Sequence, residues 1–557
     1  MTKHDIESLE NTEINGDVKR QKICDEDVRK YFAPGLFERA EELRKQNSES
    51  VPYKHCVIDQ LMDDSLLRDV RKEILKELVF TRRETDIYRV NQTGDLANLD
   101  GLDQDELKKL SSLRKLRNVL YSSSFRELVR EITGCGALSG KKQDMSINNY
   151  RKTCHLLNHD DVIGSRRVSY ILYLTDPDEP WKPEWGGALR LYPTVTANVP
   201  AVGWTKVIPP AWNQLAFFTV QPGHSFHDVE EVYVDKDRLA VSGWFHIPQE
   251  GEPGFIAGEQ EETEAKSSLH QLISKELIEY DFPKTEMLDI PEVYLNTTLE
   301  LPSATIEYLS KYINPVYLKK ESLTPITSKF YDDSVAELYE FLAPEFAEAL
   351  KAEILKIERD YAVLPETKPD EEFLNFKISA PPHKWRYQYY SPKKGDSDDS
   401  IFAQLQYFLS SGEFSQWVNI VATMHVKKCS VLVRRFRPGL DFTLATVQDN
   451  PGYVVDGTLG LSVIPDGKRW SDIPDCGGFQ MLVATDDDDE NDPAVYREAG
   501  DDDGVLAADE PQFNHLQLVL RDQGTLDFVK YLSRDAITSR WDCRCRWEGE
   551  ENVQKQS

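Results

Sequence analysis

The stretch "HLLNHDDV", His155 to Val162, sets two histidines and two aspartates within eight residues. On a helix, His155 and His159 would stand one above the other. On a strand, His159 and Asp161 would share one face. The neighbouring segments favour the strand. MSINNY (145–150), SYILYL (169–174), GALRLYP (187–193), QLAFFTV (214–220) and RLAVSGWFHI (238–247) are strand-sized runs rich in Val, Ile, Tyr and Phe, and helical patterns precede them. That order predicts a chain of the α+β class, mainly β, with an antiparallel sandwich or jelly roll buttressed by helices. The stretch DIYRVNQTGDLANLDGLDQDEL (86–107), with its Gly and Asn turns, is expected as a loop over one end of the sheet.

A strand ending in His-x-Asp suits one kind of chemistry. A mononuclear Fe(II) oxygenase needs two neutral imidazoles and one carboxylate on one face of the metal, leaving three positions for a chelating cosubstrate and oxygen. His159 and Asp161 supply the first pair, and PGHSFHDVEEVY offers His224 or His227 as the second imidazole. Arg238 lies eleven residues beyond His227 and fourteen beyond His224, where a guanidinium fork can pair the distal carboxylate of 2-oxoglutarate. Taken singly, each of these residues is more often a loop, turn or ion-pair residue. The ordered set is what points to an oxygenase.

The chain also repeats itself. DVRKEILKEL (69–78) is echoed by FAEALKAEILKI (346–357), and VLYSSSFRELVREITG (119–134) by YFLSSGEFSQWVNIVATM (407–424). WGGALRLY (185–192) returns as CGGFQMLV (476–483), and PAWNQLAFFTV (210–220) as PQFNHLQLVLR (511–521). The offset drifts from 280 (Ile74 to Ile354) through 289 (Phe125 to Phe414) and 291 (Gly187 to Gly478) to 301 (Asn213 to Asn514), as insertions in a second copy would produce. Two tandem units follow: a tail at 1–30, a catalytic unit at 31–250, an acidic linker at 251–275 and a second unit at 276–550. The run at 485–504, rich in Asp, reads as a disordered acidic loop. Aligning LNHDD on LDFTLA puts Thr443 opposite His159 and Ala445 opposite Asp161, and no histidine falls opposite His227. The second unit is therefore expected to hold no iron.

Composition narrows the partners. A net charge of −30 argues against broad contact with nucleic acid phosphate and for basic protein partners. Short basic pairs such as that at Arg166 are expected as solvated surface. No apolar run approaches the roughly 20 residues that span a bilayer, and the first thirty residues match neither a signal nor a transit peptide. No membrane role is expected. Eight cysteines without CxxC spacing fit reduced thiols, with Cys543 and Cys545 on one face of a strand.

The runs YRKTCHLLNHDDVIGSRRVSYILYLTDPDEPWKPEWGGALRLYP, PGHSFHDVEEVYVDKDRLAVSGWFHIP and ETDIYRVNQTGDLANL resemble those of the eukaryotic ribosomal prolyl hydroxylases, over nearly the whole chain. The resemblance implies two double-stranded β-helix (cupin-like) domains, the second catalytically silent. It implies hydroxylation of a proline of a small-subunit ribosomal protein at the decoding centre, coupled to decarboxylation of 2-oxoglutarate to succinate, with Fe(II), O2 and ascorbate support. His159, Asp161 and His227 would be the iron ligands. Arg238 and Tyr173 would bind the 5-carboxylate, with Tyr150 a further cosubstrate contact. His155 and His224 are then left outside the ligand set, and His246 is a strand residue at its edge. The family also implies an influence on translation termination, release-factor and poly(A)-binding-protein partners, no need for direct nucleic acid contact, and a place in nucleus and cytoplasm. The rival readings are a noncatalytic adaptor with an oxygenase fold, and an oxygenase acting on nucleic acid or a small molecule.

Overall fold

Asp63 and Ser122 begin the two principal helices of the first half, Asp64–Glu77 and Ser123–Thr133, each by accepting a backbone N–H three residues on with its side-chain oxygen. The second of them ends at Gly134, whose φ of 68° lets the chain leave in the left-handed region. Leu66, Leu67, Val70 and Ile74 of the first and Phe125, Leu128, Val129 and Ile132 of the second face one core under the sheet. In the computed structural model these helices back a curled antiparallel sheet. The structure describes residues 28–94, 96–101, 103–266, 277–295, 300–392, 400–447, 452–484, 505–521 and 525–551. Among them, no helix is long and apolar enough to cross a membrane.

Strand order in the first half runs 55–58, 215–219, 166–173, 238–246, 143–150, 88–92, 155–159, 227–229, 189–191, 206–208, each antiparallel to the next. Tyr88–Gln92 is thus a strand, not the loop expected there. It bridges Gln143–Tyr150 and His155–His159, because Asn91 pairs with Asn149 and Tyr88 with Leu156. Its polar letters hide it from a hydrophobicity reading. The other predicted strands stand where the sequence puts them.

The second half uses the same order over the larger part of its sheet: 335–339, 513–521, 453–461, 540–551, 424–436. Details repeat as well. Asn213, at φ 60°, accepts the Met62 N–H on Oδ1 while its carbonyl takes Leu61 N–H. Asn514, at φ 59°, does the same for Leu342 and Phe341. Ser411 caps Gly412–Val421 as Ser122 caps Ser123–Thr133. A second apolar core, including Leu350, Ile354, Phe414, Trp417 and Trp547, fills this half.

Residues 1–27 of the expected tail lie outside the described residues, while Val28 is buried in the first core. The stretch expected as a linker holds the helix Glu259–Glu264, with Glu259 ion-paired to Arg167. The acidic loop 485–504 lies outside the described residues, between two strands that pair with each other, Gln480–Ala484 and Val505–Asp509. The seven described cysteines are free thiols, and Cys543 and Cys545 are buried in one strand.

Candidate metal centre

His159 closes the strand His155–His159, His227 opens the strand His227–Val229, and pairing sets the two directly opposite. The chain leaves the first strand through Asp161, at φ 62°. One ligand atom from each of His159, Asp161 and His227 lies within 4.8 Å of the others. His159 Nε2 is 3.4 Å from Asp161 Oδ1 and His227 Nε2 is 3.6 Å from Oδ2. Each ring meets a backbone carbonyl on its other side: His159 Nδ1 with Leu157 O and His227 Nδ1 with Ser225 O, both at 2.8 Å. A carbonyl only accepts, so Nδ1 carries the proton and Nε2 offers its lone pair inward.

The electrostatics suit a cation. Burial alone would push the Asp161 carboxyl up, but the His159 imidazole against it, with His227 and the Arg166 guanidinium close by, holds it far below the carboxylate range. Burial and the neighbouring His159 bring His227 down to about 4, which keeps its imidazole neutral. For His159, burial pulls down and the Asp161 partner pulls up, and the partner wins. Two imidazoles and one carboxylate, with no thiolate, are the donor set of a non-haem Fe(II) site.

Beside this group stands Arg238, 1% exposed, at the start of the strand Arg238–His246. Its Nε donates to Gly187 O at 2.7 Å, while Nη2 is buried without a hydrogen-bond partner. The Tyr173 hydroxyl is likewise buried and without one. The rings of Tyr150 and Tyr173 lie 4.8 and 5.0 Å from the guanidinium. Burial raises the Tyr173 phenol, with the Arg238 charge opposing it, so the hydroxyl stays protonated as a donor. Unpaired buried donors of this kind are costly, and a carboxylate satisfies both. Gly187, at φ 75°, permits the approach, since a Cβ there would come within 3.1 Å of Arg238 Cδ. Phe218, whose ring centroid is 4.7 Å from that of His227, and Leu191, paired with His227, share an apolar cluster with Tyr173. One apolar lining therefore joins the His159–Asp161–His227 cluster to the Arg238–Tyr173 pair, and the residues present fit Fe(II) with 2-oxoglutarate.

Among the described residues, the second half repeats this frame with no three-residue cluster of metal-ligating side chains. Leu191 pairs with His227, and its counterpart Leu482 pairs with Asp527; His227 pairs with His159, and Asp527 with Thr446. Register therefore puts Thr446, not Thr443, in the place of His159, and Asp527 in the place of His227. The sequence alignment was displaced there by three residues, and the partner of Asp161 moves from Ala445 to Gln448, outside the described residues. Asp527 is half-buried, ion-paired to Arg544 (2.6 Å), and accepts from Gln480 (3.0 Å). Arg238 keeps its counterpart: Arg540 opens the strand Arg540–Glu551 and donates to Gly478 O at 2.7 Å. Here, however, Asp542 (2.9 Å) and Asp509 (3.1 Å) neutralise the guanidinium.

The remaining histidines stay outside the ligand set. His155 Nδ1 faces Thr153 O and its ring packs on Tyr531, exposed His224 meets Thr194, and His246 Nδ1 meets the Ser165 hydroxyl. Two supporting residues escaped the sequence reading. Trp244 donates from Nε1 to Asp161 Oδ2 at 3.1 Å, and the Arg166 guanidinium lies 3.5 Å over the Trp244 ring and 3.8 Å from Asp161 Oδ1. Arg166 is thus a half-buried neighbour of the site, not solvated surface. The alternation from Arg238 through Ala240 and Ser242 to Trp244 was the available signal.

Comparison with known proteins gives two family matches: the 2OG-Fe(II) oxygenase superfamily over residues 145–246, and "oxoglutarate and iron-dependent oxygenase degradation C-term" over residues 304–555. The chain is 35% identical over 510 residues to prolyl 3,4-dihydroxylase OGFOD1 of Ostreococcus tauri, covering 89% of this chain and 95% of that one. It is 27% identical over 542 residues to prolyl 3-hydroxylase OGFOD1 of Xenopus laevis, covering 89% and 88%. Among solved structures, a prolyl hydroxylase of Trichoplax adhaerens in complex with a hypoxia inducible factor peptide aligns at 16% identity and TM-score 0.29, over 41% of this chain and 92% of that one.

Proposed function

The chain belongs to the OGFOD1 family of Fe(II)- and 2-oxoglutarate-dependent prolyl hydroxylases, and we propose that its substrate is a proline of a small-subunit ribosomal protein near the decoding centre. The enzyme uses Fe(II), 2-oxoglutarate and O2. We assign His159, Asp161 and His227 as the iron ligands and Arg238 with Tyr173 as the cradle of the 5-carboxylate, with Tyr150 flanking the guanidinium. Iron, when bound, supplies the oxygen activation coupled to decarboxylation of the cosubstrate. The chain's own work is different. Trp244 and Arg166 fix the carboxylate, the backbone carbonyls fix both imidazole tautomers, and the apolar lining from Phe218 to Tyr173 keeps water from the reacting carbon.

The observation that carries this reading is the His159–Asp161–His227 cluster beside a buried, unpaired Arg238–Tyr173 pair. The charge of −30 suits a basic ribosomal target. The repeated strand order and the paired Asn213 and Asn514 turns support two tandem double-stranded β-helix domains, about 31–250 and 276–550, the second without iron. Release factors and poly(A)-binding protein as further partners, ascorbate as a reductant, an influence on termination, and a nuclear and cytoplasmic location complete the proposal from the family resemblance. Mass spectrometry of small-subunit ribosomal proteins from cells lacking the chain, and from the same cells given it back, tests the substrate. A proline peptide gaining the mass of one or two oxygens only with the chain is the expected result. Unchanged ribosomal peptides would return the reading to a noncatalytic adaptor.

A further inference from the structure

The second half closes on the strands that carry the metal ligands. Leu157, two residues before His159, is buried in one cluster with Phe442, Leu444 and Tyr531. On the other ligand strand the contacts flank His227. Phe226, before it, packs its ring 5.4 Å from that of His383. Asp228, after it, is buried and takes both Arg190 Nε (2.7 Å) and Nη2 (2.9 Å), together with the Tyr192 hydroxyl. That hydroxyl in turn accepts from Arg386 Nη1 of the second half at 3.3 Å, and Arg386 Nε is anchored on Leu440 O at 2.8 Å. Glu231, four residues past His227, accepts from Ser533, Tyr531 and the Arg534 N–H.

We propose that the second half positions the metal centre, with Arg386 acting through Tyr192 and Asp228 to fix the strand that presents His227. The inference rests on the metal site assigned above. Its physical basis is the burial of the relay: Arg386 and Asp228 are 1% and 2% exposed and Tyr192 is fully buried. Buried charges and donors are satisfied in one arrangement and costly in any other, so such a network selects a geometry even where it adds little net stability. His227 and His159 sit on different strands, so their separation depends on how the His227 strand lies. A half that adds no residue to the His159–Asp161–His227 cluster thereby becomes part of its geometry. Arg386, Tyr192 and Asp228 touch neither metal nor cosubstrate and are positioning residues.

The test is Co(II) titration of the full chain, read by the ligand-field absorption of the bound ion, in the parent and in His159→Ala, Tyr192→Phe, Arg386→Met and Tyr192→Phe/Arg386→Met. Tyr192→Phe removes one hydroxyl and nothing else, so it decides the matter even where Arg386→Met fails to fold. Binding about 10-fold weaker than the parent, with an altered Co(II) spectrum, is expected for Tyr192→Phe, and the double variant should be no worse than Arg386→Met alone. Affinity and spectrum of Tyr192→Phe equal to the parent's would overturn the inference, as would additive losses in the pair. Parent and His159→Ala binding Co(II) alike would instead strike the metal assignment.

Discussion

Trp244 Nε1 and Asp161 Oδ2 stand 3.1 Å apart, and this hydrogen bond ties the carboxylate of the His159–Asp161–His227 cluster to the strand that begins at Arg238. The indole N–H only donates, so it restrains the carboxylate without competing for the metal. Trp244→Phe keeps the ring under Arg166 and removes the donor. Metal affinity should fall roughly 10-fold, measured by competition with a chromophoric chelator, while the melting temperature stays near the parent's.

Arg238→Met should separate cosubstrate from metal. The methionine preserves bulk but leaves a carboxylate with no cation, a loss of about 2 kcal/mol or more for a buried charge-assisted pair. The KM for 2-oxoglutarate should rise roughly 30-fold with metal affinity unchanged. An unchanged KM would remove Arg238 from the cradle.

How much of this was legible is uneven, for physical reasons. His159, Asp161, His227 and Arg238 could be read because strand parity and order in the chain survive translation into geometry. Trp244 obeyed the same parity and was missed because a tryptophan in a strand has a sufficient packing role. Register in the second half was misread by three residues at Thr446, because only hydrogen-bond pairing with Asp527 fixes it and LDFTLATV has no marker residue. The Tyr88–Gln92 strand was hidden by its Arg, Asn and Gln side chains. Contacts across the halves, such as Arg386 to Tyr192, join residues 194 apart and leave no local trace.

Arg540 holds in the second half the place that Arg238 holds in the first, each donating to a glycine carbonyl. Asp509→Ala should leave this guanidinium short of one buried carboxylate, with Asp542 still in place, and cost about 3 kcal/mol. Formate or acetate should restore part of the loss by filling the gap, seen as a rise in melting temperature that the parent does not show. Equal response of parent and variant to the added carboxylate would contradict the description of Arg540 as internally neutralised.

Glu231 gives the contact between the halves a pH dependence. Burial pushes its carboxyl up to about 7, against the opposing hydrogen bonds from Ser533, Arg534 and Tyr531. A carboxyl raised in the folded state contributes stability that is complete below the ordinary carboxylate range and is lost as pH rises through about 7. The melting temperature of the parent should therefore carry a component that declines from about pH 5 to pH 7, and Glu231→Gln should lack it. Parallel melting curves against pH for the two chains would show that Glu231 does not titrate there.

Proline hydroxylation at the expense of 2-oxoglutarate, at a single metal centre in the first half, is the proposed activity. Its most direct measurement is an assay of purified chain with Fe(II), 2-oxoglutarate and small ribosomal subunits, reading succinate formed and the oxygen gained by each proline peptide in the same sample. The parent should form succinate together with a hydroxylated proline, and His159→Ala should give neither. Equal yields from the parent and His159→Ala, or no hydroxylated proline with the parent, would contradict it.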